Sequence, residues 1–144
     1  KVKEVEHGEK FCAGTVYIGQ GGKHLTVAKS GRNLIARVTE DTEGESYRPS
    51  VDRLFCSVAE VVGAESVGVI LTGMGKDGAL GLLTMRKSGA VTLGQDEASS
   101  IVYGMPKAAM LAGAVEKQVS LSNMAREIIL SCSKSTITRK VALA

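Results

Sequence analysis

Tryptophan is absent from this chain and aromatic residues make up only 3% of it, which removes the stacking platforms that single-stranded nucleic acid needs. Histidine occurs only as His7 and His24, with no paired Cys/His spacing around either, so no metal site is expected. The three cysteines, Cys12, Cys56 and Cys132, are an odd, widely spaced set without C-x-x-C. They read as reduced structural thiols of a cytoplasmic protein rather than a disulfide framework. No apolar run approaches a membrane span, and no signal-peptide pattern opens the chain. Charge of one sign is lacking too: 18 Lys and Arg against 15 Asp and Glu leave a net +3, dispersed apart from Arg139-Lys140. Neither a nucleic-acid footprint nor direct membrane insertion is expected from such a chain.

What is present suits one globular unit without repeats or linkers: 144 residues, 44% of them hydrophobic. Residues 67–71, Val-Gly-Val-Ile-Leu, are a short apolar run that reads as a strand buried on both faces of a parallel sheet. A glycine-rich turn follows, then Leu80, Leu83 and Met85 at helical spacing. Upstream, residues 1–6 alternate as a strand, 15–18 form a short strand, and 24–39 read as a β-hairpin around Ser30-Gly31-Arg32. Residues 40–47 are a polar surface loop. Ser50 is the expected N-cap of a helix whose apolar face is Val51, Leu54, Phe55, Val58, Val61 and Val62.

Residues 90–94 are a second buried strand, which gives a β-α-β unit with a right-handed crossover. Pro106 suits the first turn of a helix to about residue 111. Residues 115–119 are the final edge strand, and Ser120 or Ser122 caps a helix carrying Met124, Ile128 and Ile129. Residues 131–144 read as a frayed tail. The fold class implied is α/β: a doubly wound, mostly parallel, Rossmann-like three-layer sheet with a β-hairpin excursion.

The turn after the first buried strand carries one carboxylate, Asp77. Gly73-Met-Gly-Lys-Asp-Gly78 spells G-x-G-x-x-G, and Asp96 follows about 20 residues on, as in a dinucleotide-binding fingerprint. Against that reading, Asp77 would repel a pyrophosphate on this turn and Met74 would crowd it. Asp77 also reads either as a first-turn aspartate serving helix amides and the helix dipole, or as the acid of a Ser-His-Asp triad.

The stretch Ile70-Leu-Thr-Gly-Met-Gly-Lys-Asp-Gly-Ala79 resembles the catalytic domain of the chemotaxis protein-glutamate methylesterases. The likeness continues through Gly94-Gln-Asp-Glu-Ala-Ser-Ser-Ile-Val-Tyr-Gly-Met-Pro-Lys-Ala-Ala109 and Arg48-Pro-Ser-Val-Asp-Arg-Leu-Phe-Cys-Ser-Val-Ala59. It is looser in Val16-Tyr-Ile-Gly-Gln-Gly-Gly-Lys-His24. The resemblance implies that Asp77 is the triad aspartate. Met74 would line the active site and offer its backbone amide to the oxyanion, within the loop shaped by Gly73 and Gly75. His24 matches a family position that is either structural or close to the substrate groove.

The family's nucleophile sits in a Ser-Thr-Gly-Gly loop and its base in Gln-His-Met-Pro, and neither motif occurs in this sequence. Residues 1–130 are therefore expected to be the C-terminal portion of a catalytic domain, inactive alone. Ser99 and Ser100 match a stretch that is not nucleophilic, and a serine without a base is a poor nucleophile.

The implied activity is cofactor-free hydrolysis of glutamate γ-methyl esters, with glutamine deamidation, on bacterial chemoreceptors in the cytoplasm. The implied partners are methylated chemoreceptor cytoplasmic domains and an upstream receiver domain that this chain lacks. In the whole domain, Asp77→Asn is expected to cut turnover and leave the fold intact. The alternatives are a non-catalytic receptor-binding or scaffolding fragment and a nucleotide-binding domain.

Overall fold

Val69 and Ile70, adjacent in one strand, belong to two different cores, and that division orders the fold. Side chains alternate across a strand, so a strand apolar at successive positions must be covered on both sides. In the computed structural model, which describes residues 1–40 and 47–142 with side chains to residue 133, this strand is β5, Val67–Ile70. Ile70 packs with Leu82, Met85, Ala109 and Ala114 on one face. On the other, Val67 and Val69 join Leu93, Val119, Met124 and Ile128.

The elements run β1 (Val2–Glu4), β2 (Val16–Ile18), β3 (His24–Ser30), β4 (Asn33–Thr39), α1 (Val51–Val61), a 3-10 turn (Gly63–Glu65) and β5. They continue with α2 (Ala79–Lys87), β6 (Val91–Gln95), α3 (Met105–Leu111), β7 (Lys117–Val119) and α4 (Leu121–Ala142). Strands β5, β6 and β7 form a parallel sheet, with Val67 opposite Val91 and Leu93 opposite Lys117. Helices α2 and α3 cover one face and α4 the other. Strands β1 and β2 pair in parallel, while β3 and β4 form an antiparallel hairpin with Ser30 opposite Asn33. Gly31 opens its two-residue loop at φ +58°, the positive φ that a type II′ turn needs in first position. This is the doubly wound, mostly parallel α/β arrangement with a hairpin excursion that the sequence implies.

Several boundaries differ from the expectation. Strand β5 stops at Ile70 because the chain leaves the sheet there, and Leu71 is exposed. Helix α2 buries Ala79, Gly81, Leu82 and Met85, while Leu80 faces outward. Gly81 sets that phase: a Cβ there would stand 2.7 Å from the Phe55 Cβ and 2.8 Å from the Asp52 carbonyl oxygen, so α1 and α2 meet backbone to backbone. Strand β7 is shorter than expected, because Val115 packs over the missing side chain of Gly94. Helix α4 runs to Ala142, through the stretch that reads as a tail.

The three cysteines are exposed, not core thiols. The polar loop at 40–47 falls largely on residues 41–46, outside the described residues. Among the described residues no helix is long and apolar enough to cross a membrane.

Candidate active site

The chain leaves β5 into a crest loop that must turn back over α1. Gly75 at φ +100° and Gly78 at φ +93° make the turn in a region that side chains disfavour. Gly78 also has no room for one, since a Cβ would stand 2.7 Å from Val51 Cγ1. The turn sets the Asp77 carboxylate on the N-terminus of α1. Its Oδ2 accepts the Val51 amide at 2.7 Å. Its Oδ1 accepts the Asp52 amide at 3.0 Å and the Ser50 hydroxyl at 3.2 Å.

Ser50 caps α1 as expected, its oxygen accepting the Arg53 amide at 3.3 Å. The Leu54 amide reaches the Ser50 carbonyl at 3.4 Å. That bond is the first of the helix's own ladder, and with the Ser50 amide donated to His24 Nδ1 at 3.3 Å the four amides that a helix start leaves unpartnered, those of residues 50–53, are all satisfied. Asp77 does serve helix amides, though those of α1 rather than of its own α2.

That service leaves chemistry available. An ionised carboxylate offers about four lone-pair sites, and three are filled. Among the described residues the remaining one is on Oδ2, which carries a single donor.

Helix α2 begins at Gly78, whose lack of a side chain leaves it uncapped from within. Asp52 supplies the cap, its Oδ1 accepting the Gly81 amide at 2.6 Å. A dinucleotide fingerprint would put its pyrophosphate on this same helix start, where a carboxylate already sits. Asp96, the acid of that fingerprint, accepts the amide and the hydroxyl of Ser99 in a local turn. The nucleotide reading fails on both counts.

The crest loop is fastened to the segment after β6. Gly73 donates its amide to Val102 at 3.1 Å and accepts that of Met105 at 2.8 Å. The Thr72 hydroxyl bonds both the carbonyl and the amide of Val102. Fully buried Gln95 accepts the Thr72 amide at 2.8 Å and donates to the Ser99 carbonyl. The Gly73 amide is therefore spent on holding the loop. Met74 is 86% exposed, so its thioether fills no gap. Its backbone amide has no acceptor among the described residues. Gly75 lies against the tip of the Tyr47 side chain, 3.4 Å separating the phenolic oxygen from a Cβ built on it.

His24 is not on the surface. It is 1% exposed, and its Nδ1 accepts the Ser50 amide at 3.3 Å, two bonds removed from Asp77. His7 bonds the Val38 backbone on the hairpin edge. The Ser99 hydroxyl is committed to Asp96, Gln95 and the Leu121 amide. Among the described residues no three His, Cys, Asp or Glu side chains gather as a metal would require.

Sequence reasoning puts Asp77, Gly73, Met74 and Gly75 on one loop, where the structure also carries them. It misses the Ser50 proton on Asp77, the Asp52 cap on α2 and Tyr47 against Gly75. The pattern Ser50-x-Asp52 was legible only as a cap of its own helix.

Comparison with known proteins identifies the fold and the family. The family model described as CheB methylesterase matches residues 1–128. A protein-glutamate methylesterase/protein-glutamine glutaminase of Caulobacter vibrioides is 56% identical over 130 residues, 90% of this chain and 38% of that protein. One of Paraburkholderia xenovorans is 52% identical over 132 residues, 92% of this chain and 36% of that protein. The crystal structure of the Thermotoga maritima CheB methylesterase catalytic domain is similar with a TM-score of 0.84 at 30% identity, covering 88% of this chain and 67% of that one. The chain spans little more than a third of the curated relatives it matches. On its sequence, its fold and the crest around Asp77, the chain belongs to the CheB methylesterase family.

Proposed function

We propose that residues 1–130 are the C-terminal portion of a protein-glutamate methylesterase catalytic domain, contributing the acid and the oxyanion loop of a Ser-His-Asp site. The serine and histidine come from polypeptide N-terminal to this chain. The observation that carries the reading is the Asp77 carboxylate, anchored by three donors yet keeping one Oδ2 lone pair at the crest.

In this mechanism the serine oxygen attacks the γ-carbonyl of a glutamyl methyl ester while the histidine takes its proton. The imidazole donates its other N–H to Asp77 Oδ2, which fixes the tautomer and stabilises the imidazolium. The Met74 amide donates to the developing oxyanion; one such donor is commonly worth about 3 kcal/mol. The histidine returns the proton to the departing methoxide, giving methanol and an acyl-enzyme. Water then releases the free glutamate. A glutamine side chain would follow the same path and lose ammonia. Every step uses protein groups, without metal or cofactor.

The substrates are methylated chemoreceptor cytoplasmic domains, met in the cytoplasm, and a receiver domain upstream governs access. Exposed Leu71, Met74, Ile101 and Val102 give the crest the apolar surface that a protein substrate can cover. His24 acts from beneath, through Ser50.

The test is release of methanol from a methylated chemoreceptor domain. The intact protein is expected to turn over and the isolated chain to be inactive. Asp77→Asn in the intact protein should lower kcat by about 10⁴. Turnover by the isolated chain would refute the division of the site, and a wild-type rate in Asp77→Asn would remove Asp77 from it.

A further inference from the structure

On the methylesterase reading of Asp77, we infer that Ser50 is a positioning residue whose single hydroxyl proton decides which Asp77 oxygen receives the histidine. Capping α1 requires only a lone pair on the Ser50 oxygen, and the Arg53 amide takes it at 3.3 Å. The proton is surplus to the cap. It is aimed at Asp77 Oδ1, 3.2 Å away.

Among the described residues Oδ1 then holds two donors, Ser50 and the Asp52 amide, and Oδ2 holds the Val51 amide alone. With about two lone pairs per oxygen, one oxygen is full and the other has a single opening. An imidazole N–H arriving at this carboxylate has one place to bind.

Ser50 cannot swing away from the task. It is buried, its amide donates to Nδ1 of buried His24 at 3.3 Å, and its carbonyl takes the Leu54 amide. A backbone N–H can only donate, so His24 presents its Nδ1 lone pair and takes part in a relay from the hairpin to the site. Without the hydroxyl proton, Oδ1 reopens and the imidazole can sit on either oxygen.

Ser50→Gly separates this role from capping, because glycine is nearly as good an N-cap as serine. In the intact protein, Ser50→Gly is expected to lower the thermal midpoint through the lost Ser50–Asp77 bond, so its activity is read well below the melting transition. Its kcat on a methylated receptor domain should fall roughly 10- to 100-fold, the scale of a misplaced catalytic group, with KM unchanged. Ser50→Thr keeps the proton and should retain wild-type kcat.

A wild-type kcat in Ser50→Gly overturns the inference, and so does an equal loss in Ser50→Thr. Asp77→Asn measured alongside separates the two levels. If it is fully active, the triad reading itself falls. If it is inactive while Ser50→Gly is normal, only the role of Ser50 falls.

Discussion

The carboxylate of Asp77 takes the amide proton of Asp52 at 3.0 Å, and the carboxylate of Asp52 takes that of Gly81 at 2.6 Å. Each acid closes the start of the helix beside the other, so α1 and α2 are fastened at their N-termini. Hydrogen bonds to charged groups contribute about 1.5–3 kcal/mol each, and the positive ends of both helices favour them further. The crest carboxylate is therefore placed by two helices, not by its loop alone.

Asp77→Asn is expected to be costly to the fold as well as to turnover. Whichever way the asparagine amide is turned, its NH₂ faces a donor: the Val51 N–H on one side, or the Asp52 N–H and Ser50 hydroxyl on the other. Leaving buried donors opposed in this way costs about 1–3 kcal/mol. The urea midpoint should fall accordingly, against the sequence-based expectation of an intact fold, and activities should be compared well below the melting transition. An unchanged midpoint would mean that the three bonds contribute nothing to stability.

Asp52→Ala should destabilise by about 1 kcal/mol, the usual cost of a lost cap, because it leaves the Gly81 amide bare. It keeps the backbone amide that Asp77 uses. Combined with Asp77→Ala it should deviate from additivity by at least about 0.5 kcal/mol, as contacting sites do. Simple additivity in a double-mutant cycle would show the two caps to be independent.

How far the sequence discloses this arrangement depends on distance along the chain. The hairpin was legible because Gly31 sits between two alternating runs, and β5 because apolar residues fill it without a break. The phase of α2 was not: Leu80, Leu82 and Leu83 offer two possible faces, and only the close approach of Gly81 to Phe55 and Asp52 selects one. The partners of Asp77 lie 25 to 27 residues upstream, where no local pattern connects them to it. Methionine is by type a gap filler, yet Met74 stands exposed, because the loop it rides is held beside it, by backbone bonds at Gly73.

The pair Lys3–Glu9 should give the fold a pH-dependent increment away from the site. Lys3 Nζ stands 2.8 Å from Glu9 Oε1, and Glu9 Oε2 accepts the Glu6 amide. The Lys3 hydrogen bond, opposed by burial and aided by the Glu6 amide, holds the Glu9 carboxyl below its usual range. The same bond holds the Lys3 ammonium above its own usual range. A lowered acid stabilises the fold above the ordinary glutamate range and loses that contribution as pH falls through the lowered value. A raised lysine stabilises below the ordinary lysine range and loses it as pH rises past the raised value. Glu9→Gln should therefore be less stable than wild type at about pH 7 and converge with it as pH falls through the lowered Glu9 range. A difference in urea midpoint that stays the same as pH falls would rule out the ionic origin.

Gly104→Ala tests whether the two crest segments act as one body. A Cβ on Gly104 would stand 2.6 Å from the Gly73 carbonyl oxygen, 3.2 Å from the Gly75 nitrogen and 3.3 Å from the Met74 Cα. All three are backbone atoms of the loop that carries the proposed oxyanion donor, so no side chain can rotate to make room. Relief requires the loop to move away from the β6 segment, breaking the Gly73–Val102 or Met105–Gly73 bond. Overpacking of this kind costs about 1–3 kcal/mol, and a displacement near 1 Å at a catalytic loop costs about 10²-fold in rate. In the intact protein, Gly104→Ala is expected to lower kcat about a hundredfold while Asp77, anchored separately on α1, stays in place. A variant of lowered stability but normal kcat would show that the Met74 loop tolerates displacement, and the Met74 amide would then lose its role at the oxyanion.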